Sequence, residues 1–156
     1  MEEFNRLVAN EQNDIIVWSY KNNPASYYNP DMYSWLDVDA KDNIKKVYVK
    51  EFFGTDPFSS YAIVGTMYFR KKSHFITALQ SLYEKNITTN GEFYVDNLLN
   101  EAITAGLTVK NFKIDEYICW GTPDDLKTYQ YWQEFFDKCA WHPYKYENDY
   151  FSTTQI

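Results

Sequence analysis

The sequence predicts an α/β fold with a mixed sheet flanked by helices, because strand-like and helix-like runs intermix along one chain. Three observations carry this. Near-continuous apolar runs occupy residues 14–20 and 61–69, a polar turn separates two β-rich runs at 33–50, and three later segments show helical spacing with recognisable caps. At 156 residues the chain is one domain's worth, 1–156, with no internal repeat, low-complexity tract or evident linker.

Taken in order, residues 1–10 read as the end of a helix with Phe4, Leu7 and Val8 on one face. The run Asp14-Ile-Ile-Val-Trp-Ser-Tyr20 fits a strand covered on both faces. Residues 21–31, with two prolines and three asparagines, are loop chemistry. Asp39-Ala-Lys-Asp-Asn43 lies between two β-rich runs, 33–38 and 46–50, and predicts a hairpin. Residues 61–69 form a further buried strand, in which Gly65 marks close approach of backbone or ligand. Ser73 is expected to cap a helix carrying Phe75, Ile76, Leu79, Leu82 and Tyr83 at helical spacing. A second helix runs from about 95 to 105 and stops at Gly106. Residues 107–114 alternate like a strand. Thr122-Pro123-Asp124-Asp125 then opens a third helix with a cap, a proline at its first position and acids at its positive end. Leu126, Tyr129, Trp132 and Phe136 are its expected buried stripe, and the aromatic tail after Cys139 is expected to pack back on the domain.

Composition narrows the partners. A net charge of −7 repels phosphate backbones, so no nucleic acid is expected. No apolar run approaches the ~20 residues of a membrane span, and the N-terminus shows no signal-peptide pattern. Two cysteines make no disulfide framework, and a cytoplasmic location is expected. Aromatics reach 20% of the residues, which suits either an aromatic core with an interface or a surface that stacks on sugars.

Common catalytic templates fail. There is no His-Glu-x-x-His, Cys-x-x-Cys, Gly-x-Ser-x-Gly or phosphate loop, and the five glycines are scattered singly, so no backbone cradle for a triphosphate exists. His74 and His142 read as structural. Arg70-Lys71-Lys72 reads as a solvated helix entry, with a phosphate contact as the alternative. Three segments stand out: Val47-Tyr-Val-Lys50-Glu51, Asn90-Gly-Glu92-Phe-Tyr94, and Tyr117-Ile-Cys-Trp-Gly121-Thr122-Pro123-Asp-Asp-Leu126.

These segments, in order and with Ile63-Val-Gly-Thr-Met-Tyr-Phe69 between the first two, resemble the bacterial sugar-phosphate nucleotidyltransferases, most nearly the branch serving capsule and surface-polysaccharide synthesis. The resemblance covers about residues 14–145. It implies a Rossmann-like α/β sandwich of which this chain is the C-terminal half. The family reaction joins a nucleoside triphosphate to a sugar phosphate, with Mg²⁺ and a lysine offsetting phosphoryl charge. Carried over, Lys50 meets the acceptor phosphate, Glu92 accepts sugar hydroxyls and Gly65 lies beside the sugar. Tyr94 and Gly121, from the same motifs, complete the expected substrate-binding set. Read without the resemblance, Lys50 is an exposed strand-end lysine, Glu92 a first-turn helix acid and Gly65 a packing glycine.

The departures are equally specific. The family's N-terminal strand and Gly-rich nucleotide loop have no counterpart here, and its central metal-binding aspartate would fall before the matching segment. Where relatives place a second aspartate, two positions before Gly121, this chain has Cys119, a soft thiol ill-suited to Mg²⁺. Read from its residue type, Cys119 is a buried apolar cysteine. No catalytic residue and no metal site are therefore expected, and Mg²⁺ belongs to the complete family enzyme. Three readings stay open: a half-enzyme, inactive alone, that binds a sugar phosphate and awaits an N-terminal partner; a stand-alone carbohydrate-binding or regulatory module; and a structural, oligomer-forming subunit. The strand at 14–20, deprived of neighbours, is expected to be an open sheet edge that favours homo-oligomers.

Overall fold

The computed structural model describes residues 2–22, 26–27 and 29–149. Within the one expected domain the chain forms two compact units, Met1–Tyr117 and Ile118–Ile156.

The first unit contains α1 (Glu2–Ala9), β1 (Ile15–Tyr20), β2 (Ser34–Val38), β3 (Ile44–Val49), β4 (Tyr61–Phe69), α2 (Lys72–Glu84), α3 (Val95–Thr104) and β5 (Val109–Lys113). Its five strands form one sheet in the order β3-β2-β4-β1-β5. β1 runs antiparallel to β4 and parallel to β5, with Ile15 opposite both Phe69 and Val109. The sheet is therefore mixed, and the segment 14–20 is not an open edge. The two helices between β4 and β5 return the chain so that β5 lines the side of β1 that the sequence suggested was bare. The outer strand β3 is covered too: the Asn100 side-chain amide on α3 donates to the carbonyl of Val47 and accepts from its N–H, both at 2.8 Å. One side chain thus satisfies a backbone pair that an edge strand would otherwise expose.

The apolar residues explain the layers. On one face Ile15 and Val17 of β1, Val47 of β3 and Val109 of β5 are buried against Ala78 of α2 and Leu98, Leu99 and Ala102 of α3. Full burial of each such aliphatic side chain is worth about 1.5–3 kcal/mol. On the other face Phe4 of α1 packs at 4.8 Å on Trp18 and 5.9 Å on Phe112, so the short first helix is held by rings. α3 ends as expected: Gly106 adopts φ +85°, Gly106 N–H donates to Ile103 and Leu107 N–H to Ala102.

Two expectations in this unit are corrected. Ser73 does not cap α2; the cap position is Lys71, without a side-chain bond. Arg70 fixes the entry earlier, its guanidinium bonded to the carbonyls of Val8, Asn10 and Asn13. Residues 70–72 thus include a structural clamp, and Ile76 and Tyr83 of α2 are exposed. Nor is β4 buried throughout, since β2 pairs with it only through Trp35–Ala62 and Leu36–Tyr61 and its second half lacks that neighbour.

The second unit contains α4 (Pro123–Lys138). Its cap is reciprocal, as the sequence implied: Asp125 N–H donates to Thr122 Oγ1 at 3.2 Å and Thr122 N–H to Asp125 Oδ2 at 2.9 Å. The expected buried stripe is corrected, because no residue of α4 is buried and Leu126 and Trp132 are exposed. One helix and a tail offer too little chain to cover four large side chains. The tail does fold back on α4: Gln133 Nε2 donates to Tyr144 Oη and Asp149, and Lys145 to the Asp137 carbonyl. Among the described residues no helix is long and apolar enough to cross a membrane.

Candidate functional site

Lys50, Glu92 and Tyr94, far apart in sequence, come together at the C-terminal end of β3. Val49 pairs with Ser34 at the start of β2, and Lys50 follows with φ +56°, a left-handed conformation that costs a side-chain-bearing residue about 1–2 kcal/mol. Its ammonium donates to the Met32 carbonyl and stands 5.6 Å from the centroid of the Tyr94 ring, a cation–π contact. The segment carrying Glu92 is shaped by Asn90 and Gly91, both at positive φ (52° and 79°), with Thr89 and Glu92 exchanging backbone bonds at 2.9 and 3.0 Å. That is the two-residue hairpin turn that Asn-Gly favours. Two residues on, the Tyr94 hydroxyl donates to Glu92 Oε2 at 2.7 Å. This bond, partial burial and the Glu92 and Asp96 charges hold the phenol above its ordinary value.

Sequence reasoning missed Asp96, two residues further into α3. Burial pushes its carboxyl up, while the Ser34 hydroxyl and the Lys50 charge act against that rise. In sequence it is an ordinary first-turn acid; only the pairing that brings Ser34 and Lys50 beside it reveals an electrostatic link. The cluster therefore offers one ammonium, two carboxyl groups, a phenol and an aromatic face. Carboxylates and a phenol suit sugar hydroxyls, and a lone ammonium suits one anionic group.

Gly65 lies in β4 where the pairing with β1 slips between Val17 and Ser19, at φ +100°. No atom lies within 4 Å of where its Cβ would stand, so it is not a packing glycine. The slipped pairing demands its backbone conformation. Gly65 lies beyond the last β2–β4 pair, towards the end at which β2 begins.

Gly121 belongs to the second unit, exposed, just before the Thr122 cap; a Cβ there would stand 3.4 Å from Cys119 Sγ. Cys119 is half-buried rather than buried, because its thiol points to Asp125 Oδ2 at 3.6 Å instead of an apolar pocket. Asp125 is already engaged in the cap. Among the described residues no three His, Cys, Asp or Glu side chains gather as a metal site. These groups do not fit Mg²⁺, which prefers a set of hard oxygen ligands. The histidines are engaged locally: His74 Nε2 lies 3.8 Å from Asp14, and His142 Nδ1 accepts from Tyr144 N–H.

No protein-family model and no curated protein matches the chain. Solved structures do. A nucleoside-diphosphate-sugar pyrophosphorylase from Vibrio cholerae RC9 matches with TM-score 0.60 and 19% identity, over 75% of this chain and 46% of that one. A CMP:2-keto-3-deoxy-manno-octonic acid synthetase complexed with CTP matches with TM-score 0.51 and 11% identity, over 85% and 54%. The chain spans about half the length of these structures. Its five-stranded mixed sheet with flanking helices is a nucleotidyltransferase-like α/β fold.

Proposed function

We propose that this chain supplies the acceptor side of a nucleotidyltransferase site, holding a sugar phosphate for the synthesis of a nucleotide-activated sugar used in surface or capsular polysaccharide. The observation that carries the reading is the convergence of Lys50, Glu92 and Tyr94 at one end of β3 in a fold shared with enzymes of that kind. In this reading Lys50 meets the phosphate, Glu92 and Tyr94 hold sugar hydroxyls, and Gly65 lies along the same acceptor. The nucleotide side and its Mg²⁺ come from another polypeptide segment, so these 156 residues transfer nothing alone.

Calorimetric titration with sugar 1-phosphates and with nucleoside triphosphates, each with Mg²⁺, tests it. Sugar 1-phosphate should bind and triphosphate should not. Lys50→Gly should weaken sugar-phosphate binding roughly tenfold or more, the size of a charge-assisted contact. The fold should survive, since glycine accepts the left-handed backbone. Absence of sugar-phosphate binding sinks the reading. A second reading, a non-catalytic carbohydrate-binding or oligomerisation module, draws on Trp132 and Trp141 standing exposed on the second unit. A dimer by ultracentrifugation without sugar-phosphate binding would favour oligomerisation, and binding of unphosphorylated sugar a carbohydrate module.

A further inference from the structure

The first unit has a polar cavity remote from Lys50, Glu92 and Tyr94. It has a volume of about 470 Å³ and lies at the N-terminal end of β3, among the turn before β1, the β2–β3 hairpin tip and the start of β5. That volume falls within the range of small-molecule sites. Lys50 lies at the opposite end of β3, five residues from Lys45, or about 16 Å at the rise of an extended strand.

Its lining is unusual for so acidic a chain. Lys41, Lys45 and Lys110 line it and no carboxylate does. Lys45 is paired with Asp39 at 3.2 Å. Among the described residues Lys110 forms no ion pair: its ammonium donates to the Lys41 carbonyl and lies 3.3 Å from Asn43 Oδ1, both uncharged oxygens. Lys41 forms no ion pair among the described residues and is exposed. Three neighbouring acids are engaged elsewhere, and Glu11, between Asn10 and Gln12, is exposed and is not part of the lining. Asp42 pairs with Lys113 at 2.6 Å, and Asp14 accepts from Thr108 N–H at 2.9 Å. Asp39 is bound by the Asn43 side chain and by turn N–H groups, which hold its carboxyl far below the usual range. The cavity is thus locally cationic on a chain of net charge −7.

The remaining surface fixes the kind of guest. Asn10, Gln12 and Asn43 add amides that can donate to or accept from hydroxyls, while Ile44, Leu107 and Val109 supply apolar wall. The rim is firm, because Arg70 clamps the carbonyls of Asn10 and Asn13. We infer that this cavity is a second binding site, for a phosphate monoester on a small uncharged polar body, with the lysines facing the phosphate and the amides the body. This cavity shares no lining residue with the Lys50 site.

Amide NMR of the ¹⁵N-labelled chain, titrated with glucose 6-phosphate, glucose and inorganic phosphate, tests it. Glucose 6-phosphate should move amides of residues 41–45 and 108–110 saturably below ~10 mM. Lys41→Gln should weaken that binding roughly fivefold, as for one exposed charge contact, with Lys45→Gln as a second probe. Lys50→Gly should leave it unchanged. Shifts confined to the surroundings of Lys50 and Tyr94, no saturable shifts at all, or lysine variants that bind like the parent would overturn the second site. Equal binding of glucose, or of inorganic phosphate, would overturn the phosphate ester as its guest.

Discussion

α3 and α4 are built on opposite plans. α3 begins at Tyr94 without a side-chain cap, yet it buries Asn97, Leu98, Leu99, Glu101 and Ala102. α4 has a reciprocal cap, proline near its start, acids in its first turn and a lysine in its last, yet it buries nothing. A cap is worth about 1 kcal/mol and a buried leucine up to several. The helix with the weaker local signals is therefore the better anchored. Local sequence marks where a helix begins; it does not say how firmly the helix is held.

Substitutions can break or sharpen that contrast. Leu99→Ala should have the largest effect, about 2–5 kcal/mol lost in denaturant unfolding, because the side chain is fully buried. A loss under ~1 kcal/mol would end the claim that burial anchors α3. Thr122→Ala should cost about 1 kcal/mol, read as faster hydrogen exchange at the start of α4 with residues 15–20 unchanged. A matching loss at 15–20 would refute its local character.

Smaller effects come from the two acids of α3. Burial pushes the Glu101 carboxyl up, but bonds from Lys85 at 2.6 Å and Ser81 at 2.5 Å outweigh it and hold the group below its ordinary 4.5. A depressed carboxyl contributes stability that is complete above 4.5 and lost as pH falls through the folded value. Glu101→Gln should flatten that part of an acid-unfolding curve; an unchanged acid limb would remove the ion pair from the account. Asp96 has the opposite sign. Its raised carboxyl favours the fold most below 3.8, and that advantage fades as pH rises through the folded value. Asp96→Asn should therefore stabilise the protein near neutrality and not at low pH, by paired thermal melts. Destabilisation at pH 7 would mean that the attraction of Lys50 outweighs the cost of burying its charge.

Much of the fold was legible because its signals are local. The apolar run at 14–20, the polar turn at 39–43, Gly106 and the Thr122 cap each require only neighbouring residues, and each is found in place. The misses depend on distant chain. β1 read as an edge because β5, which covers it, lies beyond two helices. Ser73 had the chemistry of a cap, but Arg70 set the helix start first. At the candidate site, Lys50, Glu92 and Tyr94 could be named from motifs, while their contact depends on the α3 entry meeting the end of β3. Asp96 could not be distinguished from any first-turn acid until Ser34 and Lys50 were placed beside it.

The interior position of β1 also bears on how the protein is made. Asp14, at its entry, bonds Thr108, 94 residues later. At roughly 5–20 residues per second a ribosome takes about 5–20 s to add that stretch. For that interval the nascent run from Ile15 to Tyr20 lacks its parallel partner, and one of the chain's most apolar strands has an unfilled side. Sheets closed by such remote pairings form slowly. The vulnerable moment for this protein falls during synthesis, before β5 arrives, and it is there that chaperone dependence would be felt.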